Sequence, residues 1–196
     1  IKPDMRNLHD VEIVFYQFWT EARLKIREID PKNRRVLLAM KAFRPLTWCF
    51  GYIVDNVFEG LVKEGTWYFD KPSGKIYYHA LPGETAENLV ARIPTQETLV
   101  RICPSVPDKK IENLHFENLT FAFSGWKIPE NGFNSGQAET DAPNMLLADH
   151  LLRSSVINCV FRYLGACALW FRTGCREIAV EDNIFTDIGA GAVRVG

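Results

Sequence analysis

The chain of 196 residues lacks an excess of charge of either sign. Its 23 Lys and Arg stand against 24 Asp and Glu, a net charge of -1. Without a basic surplus to neutralise phosphates, the electrostatic footprint of a nucleic-acid binder is missing. No run of about 18 apolar residues occurs, so no segment reads as a membrane-crossing helix. No secretory leader is visible. The chain opens on Ile1 rather than Met, so a removed leader or a longer N-terminal part is expected. The short catalytic signatures G-x-S-x-G, H-E-x-x-H, the P-loop and G-x-G-x-x-G are all absent. Cysteine is scarce and odd in number, at five. Cys49, Cys103, Cys159, Cys167 and Cys175 form no C-x-x-C pair. No metal site and no disulfide framework is expected from them; they read as small buried hydrophobes.

Helix signals are equally sparse. No long stretch repeats apolar residues at spacings of 3, 4 and 7 behind a cap. Strand signals take their place: Val11–Phe15, Arg34–Met40, Gly65–Asp70, Lys75–His79, Leu99–Ile102 and Leu114–Phe123 are short, β-branched or aromatic, and bounded by turn residues. An all-β fold follows. Lys71-Pro72-Ser73-Gly74 between Trp67-Tyr68-Phe69 and Ile76-Tyr77-Tyr78 marks a hairpin over 65–79, with Pro presetting φ and Gly supplying a positive one.

The C-terminal part repeats. With an offset of 24, Phe161 falls on Phe185, Gly165 on Gly189 and Ala168 on Ala192. Phe116-Glu117-Asn118-Leu119-Thr120-Phe121 fits the same template 40 residues earlier. The additional length lies in a Gly-, Asn- and Pro-rich excursion, 126–144. A unit of this length, with two short strands, a polar corner and a Gly corner, is one coil of a parallel β-helix. No coil buries its inner face alone, so each stacks on the next at about 4.8 Å. Phe161 and Phe185 are then expected to stack inside, and Asn158 and Asp182 to align at a corner. The expected division is an antiparallel β-rich region over 1–98 and parallel coils over 99–196. Val193-Arg194-Val195-Gly196 reads as the middle of a coil strand, so a longer chain, or a cover over that end, is expected.

Several passages carry a family resemblance. Tyr52-Ile53-Val54-Asp55-Asn56-Val57-Phe58-Glu59, then Gly65-Thr66-Trp67-Tyr68-Phe69-Asp70 and Gly74-Lys75-Ile76-Tyr77-Tyr78, are followed by Leu99-Val100-Arg101-Ile102. Gly125-Trp126-Lys127-Ile128-Pro129, Gly132-Phe133 and Gln137-Ala138 complete the series. In that order they resemble bacterial right-handed parallel β-helix proteins of the glycoside hydrolase kind, found in Bacteroides-type polysaccharide degraders. Thr66 stands where those proteins usually have Glu. The resemblance implies a secreted, periplasmic or cell-surface protein with a carbohydrate substrate. It implies further sequence on both sides. Related families act on fucosides, xylosides, xylan or galactosides, and the resemblance does not choose among them. Oligomeric state is left open.

Glycoside hydrolysis normally uses two carboxyl groups, about 5–5.5 Å apart for retention or about 6.5–9.5 Å for inversion. In the coil register Asp182 falls on Asn158, Asp187 on Tyr163 and Glu181 on Ile157, so no carboxylate stacks on another. The catalytic candidates are Asp187, Asp182 and Glu130. Asp182 equally suits a corner that bonds backbone N–H groups. The substrate-binding candidates are Trp126, Gln137, Glu139 and His150. For Trp126, stacking on a sugar and packing in a core are both open; Glu130 and Glu139 also suit solvated loops. No cofactor is implied by the hydrolase reading. A polysaccharide lyase on the same scaffold would need a base and a cation, often Ca²⁺. A non-catalytic glycan binder is the third alternative, because fold alone does not decide function.

Overall fold

The computed structural model describes residues 1–106 and 109–196. Among the described residues eighteen strands form, and the only helical pieces are short 3₁₀ turns. The first six strands are β1 (Glu12–Gln17), β2 (Glu21–Asp30), β3 (Arg35–Leu38), β4 (Cys49–Asp55), β5 (Trp67–Asp70) and β6 (Lys75–Tyr78). The next six are β7 (Val100–Ile102), β8 (Ile111–Glu112), β9 (His115–Glu117), β10 (Thr120–Ser124), β11 (Gly132–Asn134) and β12 (Asn144–Ala148). The last six are β13 (Leu151–Ile157), β14 (Val160–Leu164), β15 (Cys167–Phe171), β16 (Arg176–Glu181), β17 (Ile184–Ile188) and β18 (Val193–Val195).

The chain divides into two units. The first comprises Ile1–Ala91 and Ile128–Gln137, the second Arg92–Lys127 and Ala138–Gly196. In the first unit an antiparallel sheet runs β11-β2-β1-β4, with β3 also pairing β2. Val11, Ile13 and Ile26 are buried beneath it, with Met5, Leu8, Phe15, Leu38 and Val54 packed around them. The hairpin of β5 and β6 forms as the turn chemistry requires, pairing Trp67 with Tyr78 and Asp70 with Lys75. Asp70 is buried and accepts from Arg6, from Asn7 Nδ2 at 2.8 Å and from Ser73 Oγ at 2.8 Å. A buried carboxylate needs such partners, since desolvation disfavours its charge.

Residues 128–137 of the excursion belong to the first unit. Gly132 makes this close contact possible: a Cβ there would stand 2.5 Å from the carbonyl oxygen of Arg23, and its φ is 111°. Strand β11 thereby pairs Gly132 with Leu24.

The second unit is a parallel β-helix of three faces. One face stacks β7, β12, β15 and β18; the second stacks β8 and β9 under β13 and β16; the third stacks β10, β14 and β17. Every pairing is parallel, and Val160 opposite Ile184 and Leu169 opposite Val193 keep the offset of 24. Phe121, Phe161 and Phe185 stack inside, with centroids 5.1 and 4.9 Å apart and planes within 10°. They join Leu146, Val156, Leu164, Leu169 and Phe171 in one core.

Corners repeat as columns of left-handed residues. Asn118, Asn158 and Asp182 form one; Asn113, Arg153 and Glu177 form another; Phe123, Tyr163 and Asp187 form a third, all with φ between 45° and 59° except Phe123 at 64°. Asn tolerates this region best, and Asn158 Nδ2 donates to Asn118 Oδ1. Leu114–Phe123, expected as one strand, is therefore broken at Asn118 into β9 and β10. The Gly corners are also stacked. A Cβ on Gly165 would lie 2.5 Å from the carbonyl carbon of Gly125, and one on Gly189 would lie 2.2 Å from the oxygen of Gly165. Here glycine is demanded by the approach of one coil to the next.

Two substitutions test this stacking. Phe161→Ala should cost about 3–5 kcal/mol in chemical denaturation, the range for truncating a buried aromatic. Gly165→Ala should cost about 1–3 kcal/mol by forcing two coils apart. Unchanged midpoints for both would contradict the column arrangement.

Candidate functional site

The outer surface of the third face carries a column of polar and aromatic side chains, of which Arg162, Tyr163, Thr186 and Asp187 are exposed and Phe123 is half-buried. In parallel strands, equivalent residues of successive coils stand directly above one another. Ala122, Arg162 and Thr186 are thus in register, as are the neighbouring Phe123, Tyr163 and Asp187. Phe123 and Tyr163 stack with centroids 5.3 Å apart and an 18° tilt. Arg92 lies over Phe123 at 5.2 Å and Arg162 over Tyr163 at 5.6 Å. Asp187 accepts from Thr186 Oγ1 at 3.2 Å and is exposed. Tyr163 is 48% exposed. Rings, guanidinium groups and a carboxylate are therefore presented together on one surface.

Asp182 occupies the Asn column at the other end of β17, exposed. It stands five residues from Asp187, about 16 Å along extended backbone. The two acids lie in different columns. Glu130 and Gln137 are exposed members of the first unit, Gln137 opening a 3₁₀ turn. Glu139 ends that turn, half-buried, in the second unit. Trp126 is half-buried and packs against the small cluster of Ala142, Ala166 and Cys167 around the Gly corner. Of the two uses open for Trp126, packing is the one with visible partners. His150 holds a left-handed corner with φ 52°, and its ring fills the space beside Gly174, where a Cβ would lie 2.4 Å from Nδ1. Its backbone joins three coils, donating to Thr173 and accepting from Ile111.

A second charged group lies at the end of the first face. Arg101, Leu147, Trp170 and Arg194 are in register there. Arg194 lies over the Trp170 ring at 3.7 Å, and Trp170 Nε1 donates to the carbonyl of Gly196 at 2.7 Å. Next to them Arg172 grips Asp149 with two hydrogen bonds, Nε to Oδ1 at 3.1 Å and Nη2 to Oδ2. Cys103 donates to Oδ2 at 3.3 Å. The Arg172 hydrogen bond holds the Asp149 carboxyl below the ordinary carboxylate range, with burial opposing it. Burial pushes the Cys103 thiol up, helped by the adjacent Asp149. Asp149 is thus an ionised clamp between coils, poorly suited to donating a proton.

A concavity of about 310 Å³ lined by Ile1, Lys2, Asp4, Met5 and Glu59 contains none of the residues singled out from the sequence. The described residues gather no group of three or more His, Cys, Asp or Glu side chains able to share a metal ion. No described helix is long and apolar enough to cross a membrane. All five thiols are unpaired: Cys159 and Cys167 are buried, Cys49 and Cys175 half-buried, and Cys103 exposed.

Sequence reasoning passed over Phe123, Arg92 and Arg162. The signal for Phe123 was present, since it lies 40 residues before Tyr163 in the same template. Arg92 lies before the first coil strand, and no periodicity reaches it.

The fold defines an all-β protein with a parallel β-helix and an antiparallel region. No family model and no curated protein matches the chain. A solved structure described as a glycoside hydrolase is similar to it, with a TM-score of 0.64 at 16% identity, over 87% of this chain and 37% of that one. The chain spans little more than a third of that structure's length. At this identity the likeness is one of fold.

The Asp149 clamp predicts a pH dependence. Its folded carboxyl ionises below the unfolded value of about 3.9, so its stabilisation is present above that value and is lost as pH falls through the folded one. Asp149→Asn should lower stability by about 1 kcal/mol at neutral pH, the upper end for a partly exposed ion pair. The difference from wild type should shrink in melts below about pH 4. A difference that stays constant into acid would assign the loss to packing.

Proposed function

We propose that the chain is part of a glycoside hydrolase and binds a glycan along the outer surface of the third β-helix face. The observation that carries this reading is Asp187 one coil above the Phe123–Tyr163 stack, on a fold shared with a protein described as a glycoside hydrolase. The outward edges of the stacked rings give a sugar apolar contact, and the neighbouring acid and hydroxyl bond the sugar's hydroxyl groups.

Asp187 is assigned the proton-donor role. In hydrolysis a carboxylic acid protonates the glycosidic oxygen as the bond to the sugar breaks, while a second carboxylate activates water or attacks the ring carbon. Asp182 lies too far along the strand to straddle the same bond and is assigned to a flanking subsite. Glu130 and Gln137 belong to the first unit and are assigned no part on this face. Glu139 and His150 are assigned to outlying subsites, and Trp126 to packing at the Gly corner. The resemblance to secreted polysaccharide degraders supports an extracellular or periplasmic location.

The lyase alternative draws support from one observation: Arg162 lies beside Tyr163, a cation for a uronate carboxylate next to a phenol whose phenolate form would be the base. The products separate the two readings, because hydrolysis gives saturated reducing ends and elimination gives an unsaturated sugar that absorbs in the ultraviolet.

Asp187→Asn in the full-length protein should lower reducing-sugar release by about 100-fold or more, the scale of a lost general acid, with glycan affinity kept within a few-fold. Tyr163→Ala should chiefly weaken binding. Full activity in Asp187→Asn would remove the assignment.

A further inference from the structure

The side chains around the platform carry information about the sugar it takes, an inference that rests on the glycan-binding reading above. Arg92 and Arg162 each lie across an aromatic face, at 5.2 and 5.6 Å from the ring centroid. Both are exposed, and among the described residues neither forms an ion pair with a carboxylate. A guanidinium held over a ring keeps its charge and its N–H donors, which can grip a carboxylate or sulfate with two hydrogen bonds. The two cations flank adjacent coils, since the rings beneath them are 5.3 Å apart. The third coil presents the opposite character, Thr186 and Asp187.

The backbone adds a second, independent observation. Phe123 and Tyr163 hold left-handed φ angles of 64° and 55°. Bulky residues occupy that region at a cost that Asn and Asp largely avoid. The neighbouring corner column places Asn118, Asn158 and Asp182 at the same conformation. Corner formation alone therefore does not call for aromatic residues at 123 and 163. Strained residues of this kind collect where a surface binds a ligand.

We propose that the third face binds an anionic glycan, with a carboxylate- or sulfate-bearing sugar over Phe123 and Tyr163 between Arg92 and Arg162. The adjoining sugar, beside Thr186 and Asp187, is uncharged. Thr186 and Asp187 offer no cation to a second acidic group, so the two arginines at one end of the column fix the direction in which the chain lies. The acidic sugar is thereby set beside the bond that Asp187 serves.

Calorimetric titration of the full-length protein with three probes tests this: oligogalacturonides, a sulfated galactan oligosaccharide and a neutral galactan oligosaccharide of equal length. At least one anionic probe should bind about tenfold or more tighter than the neutral one, with the preference falling as salt is raised. Which of the two it is distinguishes carboxylate from sulfate. The Arg92→Gln/Arg162→Gln double variant should lose the preference while melting like wild type, and the matching Lys variants should keep part of it. Equal or tighter binding of the neutral probe overturns the proposal, as does an undiminished anionic preference in the Gln variant. Neutral glycans cleaved in an Asp187-dependent way would overturn this proposal and leave the hydrolase reading standing. No binding or cleavage of any probe would count against both.

Discussion

The backbone hydrogen bonds between successive coils set the terms for everything in the second unit. They fix the coil spacing at about 4.8 Å and bring equivalent residues of each coil into line. On the third face a side chain has its most important neighbours 24 residues away, or 40 where the excursion intervenes. Inside, this requires flat rings that can lie on one another, and Phe121, Phe161 and Phe185 do so. At the tight corner it requires hydrogen in place of a side chain, which Gly125, Gly165 and Gly189 supply. At the wide corner it requires residues at ease with positive φ, which explains the Asn column. Asn183 adds a tie between coils, accepting from Cys159 N at 2.9 Å and donating to Val156 O at 2.8 Å.

The same periodicity made the coils legible from the amino-acid order. Three residues matched at one offset, and each proved to be a position where stacking restricts the choice. The first unit was less readable. Its longest strand, β2, contains Glu21-Ala22-Arg23-Leu24-Lys25-Ile26-Arg27-Glu28, whose Glu, Ala, Leu, Lys and Arg favour helix, so its alternation was overlooked. Ala22, Leu24 and Ile26 are nonetheless buried, and tertiary pairing overrides propensity. For the candidate site, Asp187 above Tyr163 was visible from the register. Arg92 was not, because its approach to Phe123 depends on how a segment without repeats folds back. Trp126 could be named but not oriented: only the cluster of Ala142, Ala166 and Cys167 shows what it packs against.

Two aspartates illustrate how surroundings divide labour among identical groups. Asp149 has both oxygens engaged, by Arg172 and Cys103, and is held ionised. Its carboxylate joins coils and has little left to offer a ligand. Asp187 is met by the neighbouring Thr186 hydroxyl and faces outward beside exposed rings. Saturated acceptors mark Asp149 as a structural acid, whereas Asp187 keeps acceptor capacity, as the role proposed for it requires.

The short strand β11 has a topological consequence. The chain leaves the coils after Lys127, lays Gly132–Asn134 along β2 and returns by Ala138. The sheet of the first unit is therefore closed by residues synthesised after the first coil's third strand. An emerging polypeptide would hold the Ala22–Leu24 part of β2 without this partner while more than a hundred residues are made. Neither unit is a contiguous stretch of chain, so no single cut releases one of them intact, and maturation of the first is bound to progress of the second.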